Sequence, residues 1–115
     1  MKRGDVYWAD LAPRSGSEQR GRRPVIIVSH DAFNQTEGWR SVIVAPISTS
    51  GSQARRSPTT VLLPSGAGAL ARASVAVCHQ ITTLDRAKLT QRIGALPAEL
   101  LRAVEEGLKA ALNLE

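Results

Sequence analysis

The chain is poor in the residues that form covalent or metal staples. Its 115 residues include one cysteine, Cys78, and two histidines, His30 and His79. One cysteine excludes an internal disulfide, and nothing points to an oxidising compartment. One Cys and two His are too few for a structural zinc site. No apolar run approaches the roughly 20 residues that span a bilayer. The start, Met1-Lys2-Arg3-Gly4-Asp5, is charged but has no apolar stretch behind it, which argues against a signal peptide and for a cytoplasmic protein. Two enzyme signatures are missing as well: a GxxxxGK[ST] phosphate cradle and a GxSxG elbow. Ser29, His30 and Asp31 are adjacent, and neighbours on an extended chain do not converge as a triad. Cys78 and His79, read as part of a strand, point to opposite faces, so Cys78 is expected in the core rather than as a thiolate nucleophile.

What is present is one domain's length, 1–115, with 43% hydrophobic and 22% charged residues, ordinary for a soluble globular protein. The charge is lopsided. Twelve of fifteen basic residues are arginine, and the net charge is +5. Residues 1–60 hold nine basic and five acidic groups; residues 61–115 hold six and five. Arginine pairs bidentately with phosphate, so this excess suits a nucleic-acid or acidic partner. An Arg- and Ala-rich genome would produce a similar composition.

Short apolar runs predict strands over 4–11, 23–29, 41–47, 59–63 and 74–81, with a sixth, short strand over 88–94. Polar or Gly-bearing segments separate them at 12–22, 30–40, 48–58 and 64–71. Pro24 stands at a strand start and Pro46 near a strand end, where proline is tolerated. After Pro97 the period changes: Leu100, Leu101, Val104, Leu108 and Leu112 fall on one helical face. Gly107 within that helix costs roughly 1 kcal/mol, so the helix needs packing to persist. The expected fold is mostly β with a C-terminal helix, a small, partly open barrel.

Two loops concentrate the chemistry. The first carries Arg14, Glu18, Arg20, Arg22 and Arg23; the second carries Ser48, Thr49, Ser50, Ser52, Arg55 and Arg56. If strands 23–29 and 41–47 pair antiparallel, the start of one lies beside the end of the other. Arg23 then meets Ser48, with Glu18 within a loop's reach. An arginine, a hydroxyl and a carboxylate suit phosphodiester chemistry: charge neutralisation, hydrogen-bond donation and proton removal. RNA carries its own nucleophile, the 2′-OH, so such a set needs no metal. Solvated polar loops between strands can look much the same.

The ordered motifs resemble one family. Lys2-Arg3-Gly4-Asp5-Val6-Tyr7-Trp8-Ala9-Asp10-Leu11, Gly16-Ser17-Glu18-Gln19, Arg23-Pro24-Val25-Ile26-Ile27-Val28, Val44-Ala45-Pro46-Ile47-Ser48-Thr49 and Cys78-His79-Gln80-Ile81-Thr82-Thr83-Leu84-Asp85 together resemble the MazF/PemK toxins. The resemblance covers nearly the whole chain. It implies an SH3-like barrel of the plasmid-maintenance-toxin type, a homodimer, and a sequence-specific, metal-independent endoribonuclease without cofactor. That activity would cleave single-stranded RNA through a 2′,3′-cyclic phosphate and arrest growth. An acidic antitoxin of the MazE type would silence it. A catalytically inactive binding relative is the alternative.

Residue by residue, the resemblance places the family's catalytic Arg at Arg23 and its catalytic Thr at Ser48, with Thr49 next door as the other choice. Serine keeps the hydroxyl but loses the methyl that restricts its rotamer. Glu18 is the more natural base for a 2′-OH, with His30 as the other candidate. Arg20, Arg22, Arg55 and Arg56 are candidates for phosphate contacts, as is Thr49 for RNA binding. Trp39 and Trp8 are both candidates for base stacking; Trp39, in a polar loop, is the better one, while Trp8 in a strand is expected in the core or an interface.

Overall fold

The structure, a computed structural model, describes residues 1–11, 21–49 and 57–115. Seven strands and two α-helices occur among them: β1 (Asp5–Asp10), β2 (Arg22–Ile27), α1 (Asp31–Asn34), β3 (Ser41–Ser48), β4 (Thr60–Leu63), β5 (Ser74–Val77), β6 (Thr82–Asp85), β7 (Leu89–Ala95) and α2 (Ala98–Leu112). All the strand pairings are antiparallel. The sheet order is β4-β5-β3-β2-β1-β7, and β6 also pairs with β3. The expected mostly-β fold with a C-terminal helix is therefore found.

The central strand β2 explains the layering. Its Pro24-Val25-Ile26-Ile27 run is buried throughout, so both of its faces are covered. Strand alternation sends Ile26 and its β1 partner Val6 into one core, with Ile47, Leu63, Cys78 and Val104 of α2. It sends Val25 and Ile27 into a second core, with Ala9, Val42, Val44 and Leu84. A continuous apolar run is the pattern of a strand buried on both faces.

One expected strand, 74–81, is two strands separated by a 3-10 turn at Cys78–Gln80. Both halves run antiparallel to β3: Ile47 lies opposite Ala76, and Val44 opposite Thr82. The turn leaves the ladder and drives Cys78 into the first core. Cys78 is thus buried as expected, though in a turn rather than on a strand face. The Cys78 thiol donates to the Val104 carbonyl at 3.7 Å. Burial pushes that thiol up to about 11, far from a thiolate at neutral pH.

Pro97 is the N-cap of α2, and Asn113 closes the helix in the left-handed region at φ 57°. The connection at 30–40 contains the four-residue α1, capped by the His30 side chain. Arg3 ties these parts together. Its backbone N–H donates to Asp31, its Nε donates to the Val28 carbonyl, and its guanidinium pairs with Glu105 of α2. No helix among the described residues is long and apolar enough to cross a membrane.

Candidate nucleic-acid interface

The β2–β3 ladder pairs Val25 with Pro46, Ile26 with Ala45 and Ile27 with Val44. The ladder stops there; the same register carried two residues further would set Arg23 opposite Ser48, the antiparallel expectation. Arg23 sits near the start of β2 and is exposed. Ser48 ends β3 and is buried, 2% exposed, with its backbone opposite Val75 of β5. Thr49 follows and is exposed.

Arg23 and Thr49 line one cavity of about 460 Å³. That size falls within the ordinary range of a ligand pocket, about 300–1,000 Å³. Arg22 and Arg72 also line it, so three arginines and, among the described residues, no carboxylate face the space. Trp8, Pro24 and Ile93 form its apolar side, and Ala69–Ala71 its rim. Trp8 is the β1 partner of Pro24, and Arg22 lies two residues back along β2 on the same face. That diagonal relation lets the guanidinium reach the indole: Arg22 Cζ stands 4.5 Å from the ring centroid.

The rim is held in an uncommon backbone. Gly68 has φ 58° and Ala69 φ 65°, both left-handed. A Cβ on Gly94 of β7 would lie 2.5 Å from the Gly68 carbonyl oxygen and 2.9 Å from Ala69 Cβ. Only glycine at 94 permits that approach.

The other candidates lie elsewhere. Trp39 precedes β3, at the opposite end from Ser48, and an eight-residue strand separates the ends by about 25 Å. There it stacks on Phe33, centroids 5.0 Å apart and planes 28° apart. Arg86 holds this corner by donating to the Trp39, Phe33 and Asn34 carbonyls. His30 is at the far end of β2, and its Nδ1 accepts from the Ala32 N–H at 2.8 Å. Glu18, Arg20, Arg55 and Arg56, with Arg14, lie outside the described residues.

One cavity residue, Arg72, was not singled out by the sequence, and Trp8 was ranked behind Trp39 as a stacking candidate. Trp8 reads as core because its strand is apolar, yet it is only half-buried. Arg72 sits alone in the small-residue stretch Gly66 to Ala73; that isolated charge is the signal that could have found it. Among the described residues, no group of three or more His, Cys, Asp or Glu converges as metal ligands would.

Comparison with known proteins places this arrangement. Residues 2–112 match the family model described as PemK-like, MazF-like toxin of type II toxin-antitoxin system. The chain is 40% identical over 114 residues to endoribonuclease EndoA of Bacillus subtilis, covering 99% of this chain and 96% of that protein. It is 37% identical over 114 residues to endoribonuclease MazF6 of Mycobacterium tuberculosis, covering 99% and 98%. Among solved structures it is similar to MazF from Deinococcus radiodurans, with a TM-score of 0.80, 27% identity, and 99% and 97% of the two chains covered. It is also similar to a mycobacterial endoribonuclease in complex with its cognate antitoxin, with a TM-score of 0.82, 25% identity, and 100% and 97% covered. With a family match over nearly its whole length and relatives above one third identity, the chain belongs to the PemK-like, MazF-like toxins of type II toxin–antitoxin systems.

Proposed function

We propose that this toxin is a cytoplasmic, homodimeric endoribonuclease that cuts single-stranded messenger RNA at a specific sequence and arrests growth. The observation that carries the reading is the arginine-lined cavity in which Arg22, Arg23, Arg72 and Thr49 line one space. In the reaction, the RNA 2′-OH loses its proton and attacks the adjacent phosphorus. The bond to the 5′-oxygen breaks and that oxygen takes a proton from solvent water, leaving a 2′,3′-cyclic phosphate and a 5′-hydroxyl. Arg23 meets the charge that develops on the phosphoryl oxygens. An arginine stays protonated, so it stabilises charge rather than acting as base. Glu18 takes the 2′-OH proton. The Ser48 hydroxyl donates to a phosphoryl oxygen and orients it. Arg20, Arg22, Arg55 and Arg56 contact flanking phosphates. The nucleophile belongs to the substrate, so the scheme uses no metal and no cofactor.

A second reading of the hydroxyl has its own support: Thr49, not Ser48, is exposed and lines the cavity. An acidic antitoxin of the MazE type would compete for the arginines, since a carboxylate-rich segment offers them the same charge as RNA.

The test is cleavage of a long single-stranded RNA in excess EDTA, with end-group analysis of the products. Cyclic phosphate and 5′-hydroxyl ends are expected, and a 2′-deoxy substitution at the cut site should block that cut. A requirement for Mg²⁺, or efficient cutting of all-DNA strands, would refute the mechanism.

A further inference from the structure

We propose that the cavity beside Arg23 is a nucleobase subsite in which the Trp8 indole is the stacking platform and the Arg22 guanidinium holds the place of the base. The proposal rests on the ribonuclease reading and names how that site grips its substrate.

The geometry begins in the core. The pair Val6–Ile26 is buried under α2, and the next same-face pair along the ladder is Trp8–Pro24. The apolar stripe thus emerges from the core at Trp8, where the cavity opens. Stacked over that ring at 4.5 Å is a planar, delocalised cation. A nucleobase is also a planar π group and stacks on aromatic rings regardless of its identity. A partly exposed cation–π contact is weak enough to exchange for such a stack. The displaced guanidinium then has a phosphate within its reach, because a base enters carrying its own phosphodiester.

The surroundings select this occupant. Arg22, Arg23 and Arg72 line the cavity, which suits an anionic strand and disfavours a cationic peptide. The rim is preformed: the left-handed Gly68–Ala69 turn is packed closely against Gly94. A slot with one aromatic side and one fixed rim admits a flat ring and limits its size. That gives the cavity a part in base selection as well as in affinity.

The experiment compares wild type, Trp8→Phe, Trp8→Leu and Arg22→Gln on one long single-stranded RNA, with cut sites mapped and thermal unfolding as the folding control. Trp8→Leu should raise KM by roughly 5- to 150-fold, the worth of one base stack, with a smaller effect on kcat. It should also relax base preference at one position near the cut. Trp8→Phe should keep both within about threefold, since it keeps the π face. Arg22→Gln should weaken binding evenly across sites and lower the salt slope by about one, leaving base preference alone.

A second measurement does not need Trp8 replaced. In a Trp39→Phe background, Trp8 fluorescence is followed on adding a 2′-O-methyl strand of the mapped cut sequence, or the same strand made abasic around the cut. Quenching by the first strand alone supports stacking. Equal quenching by both, or a folded Trp8→Leu variant with unchanged KM and cut pattern, overturns the subsite while leaving the ribonuclease intact. A wild-type protein that cuts no RNA removes both.

Discussion

Gly107 of α2 lies directly against Cys78: a Cβ at 107 would come within 2.7 Å of the Cys78 sulfur and 3.3 Å of its Cβ. The glycine that weakens the helix by its sequence is the one that lets the helix dock. Gly107→Ala should therefore destabilise the protein by about 1–2 kcal/mol, because overpacking outweighs the gain in helix propensity. Adding Cys78→Ala should recover part of the loss, so the two changes should be non-additive by about 1 kcal/mol. Urea unfolding of the two single variants and the double variant measures this. Simple additivity would mean that the contact relaxes without cost.

Arg23→Ala should reduce kcat on single-stranded RNA by about 100-fold or more, as loss of a group aimed at developing charge does. Arg40→Ala serves as the control. Arg40 donates to both oxygens of Asp85 at 3.1 and 2.9 Å on the exposed far end of β3, remote from the cavity. Exposed pairs of that kind contribute little, so activity should stay within about twofold. Equal losses in the two variants would indicate a general charge effect.

Ser48→Ala should cost about tenfold or more in kcat, while Ser48→Thr should be tolerated. Thr49→Ala should act mainly on KM. Single-turnover cleavage separates the two terms. If Ser48→Ala is active and Thr49→Ala is dead, the exposed hydroxyl is the catalytic one.

Acid should weaken the fold through Asp31. The Arg3 backbone N–H, then the Asn34 side chain, hold the Asp31 carboxyl below its usual value. A carboxylate with a depressed folded pKa contributes stability above its unfolded value, and that contribution is lost as pH falls through the folded value. Stability should thus decline below about pH 4. In Asp31→Asn that decline should be shallower, since the titrating group is gone. Urea midpoints measured from roughly pH 5 down to pH 3 test it; parallel curves would clear Asp31 of the effect.

Much of this was legible in the sequence because the relevant physics is local. The apolar run Pro24 to Ile27 and the run Val42 to Ile47 could only be buried strands, and their pairing follows from length and order. Antiparallel geometry then brings the start of β2, with Arg23, to the same end of the ladder as Ser48 of β3. The break at Cys78 was not legible: Ser-Val-Ala-Val-Cys-His-Gln-Ile reads as one strand, and the residues of α2 that Cys78 meets, Val104 and Gly107, are distant in sequence. Trp8 and Trp39 were hard for a related reason. A sequence shows that a tryptophan is in a strand or a loop, but not at which end of a strand the covering helix stops. The isolation of Arg72 was visible, yet its neighbours in space come from β1, β2 and β7.

Strand β3 is bonded along both of its edges, to β2 on one side and to β6 and then β5 on the other. A strand fixed in that way cannot yield to a misfitting substrate. Under the proposed function, all of the deformation falls on the RNA, whose bases must already be unstacked and splayed to be read. Cut sites held in stable hairpin stems would then be silent, and the same sequence in an open loop would be cut. The set of transcripts destroyed would be decided by which messages are melted at the moment of encounter as much as by the letters they contain.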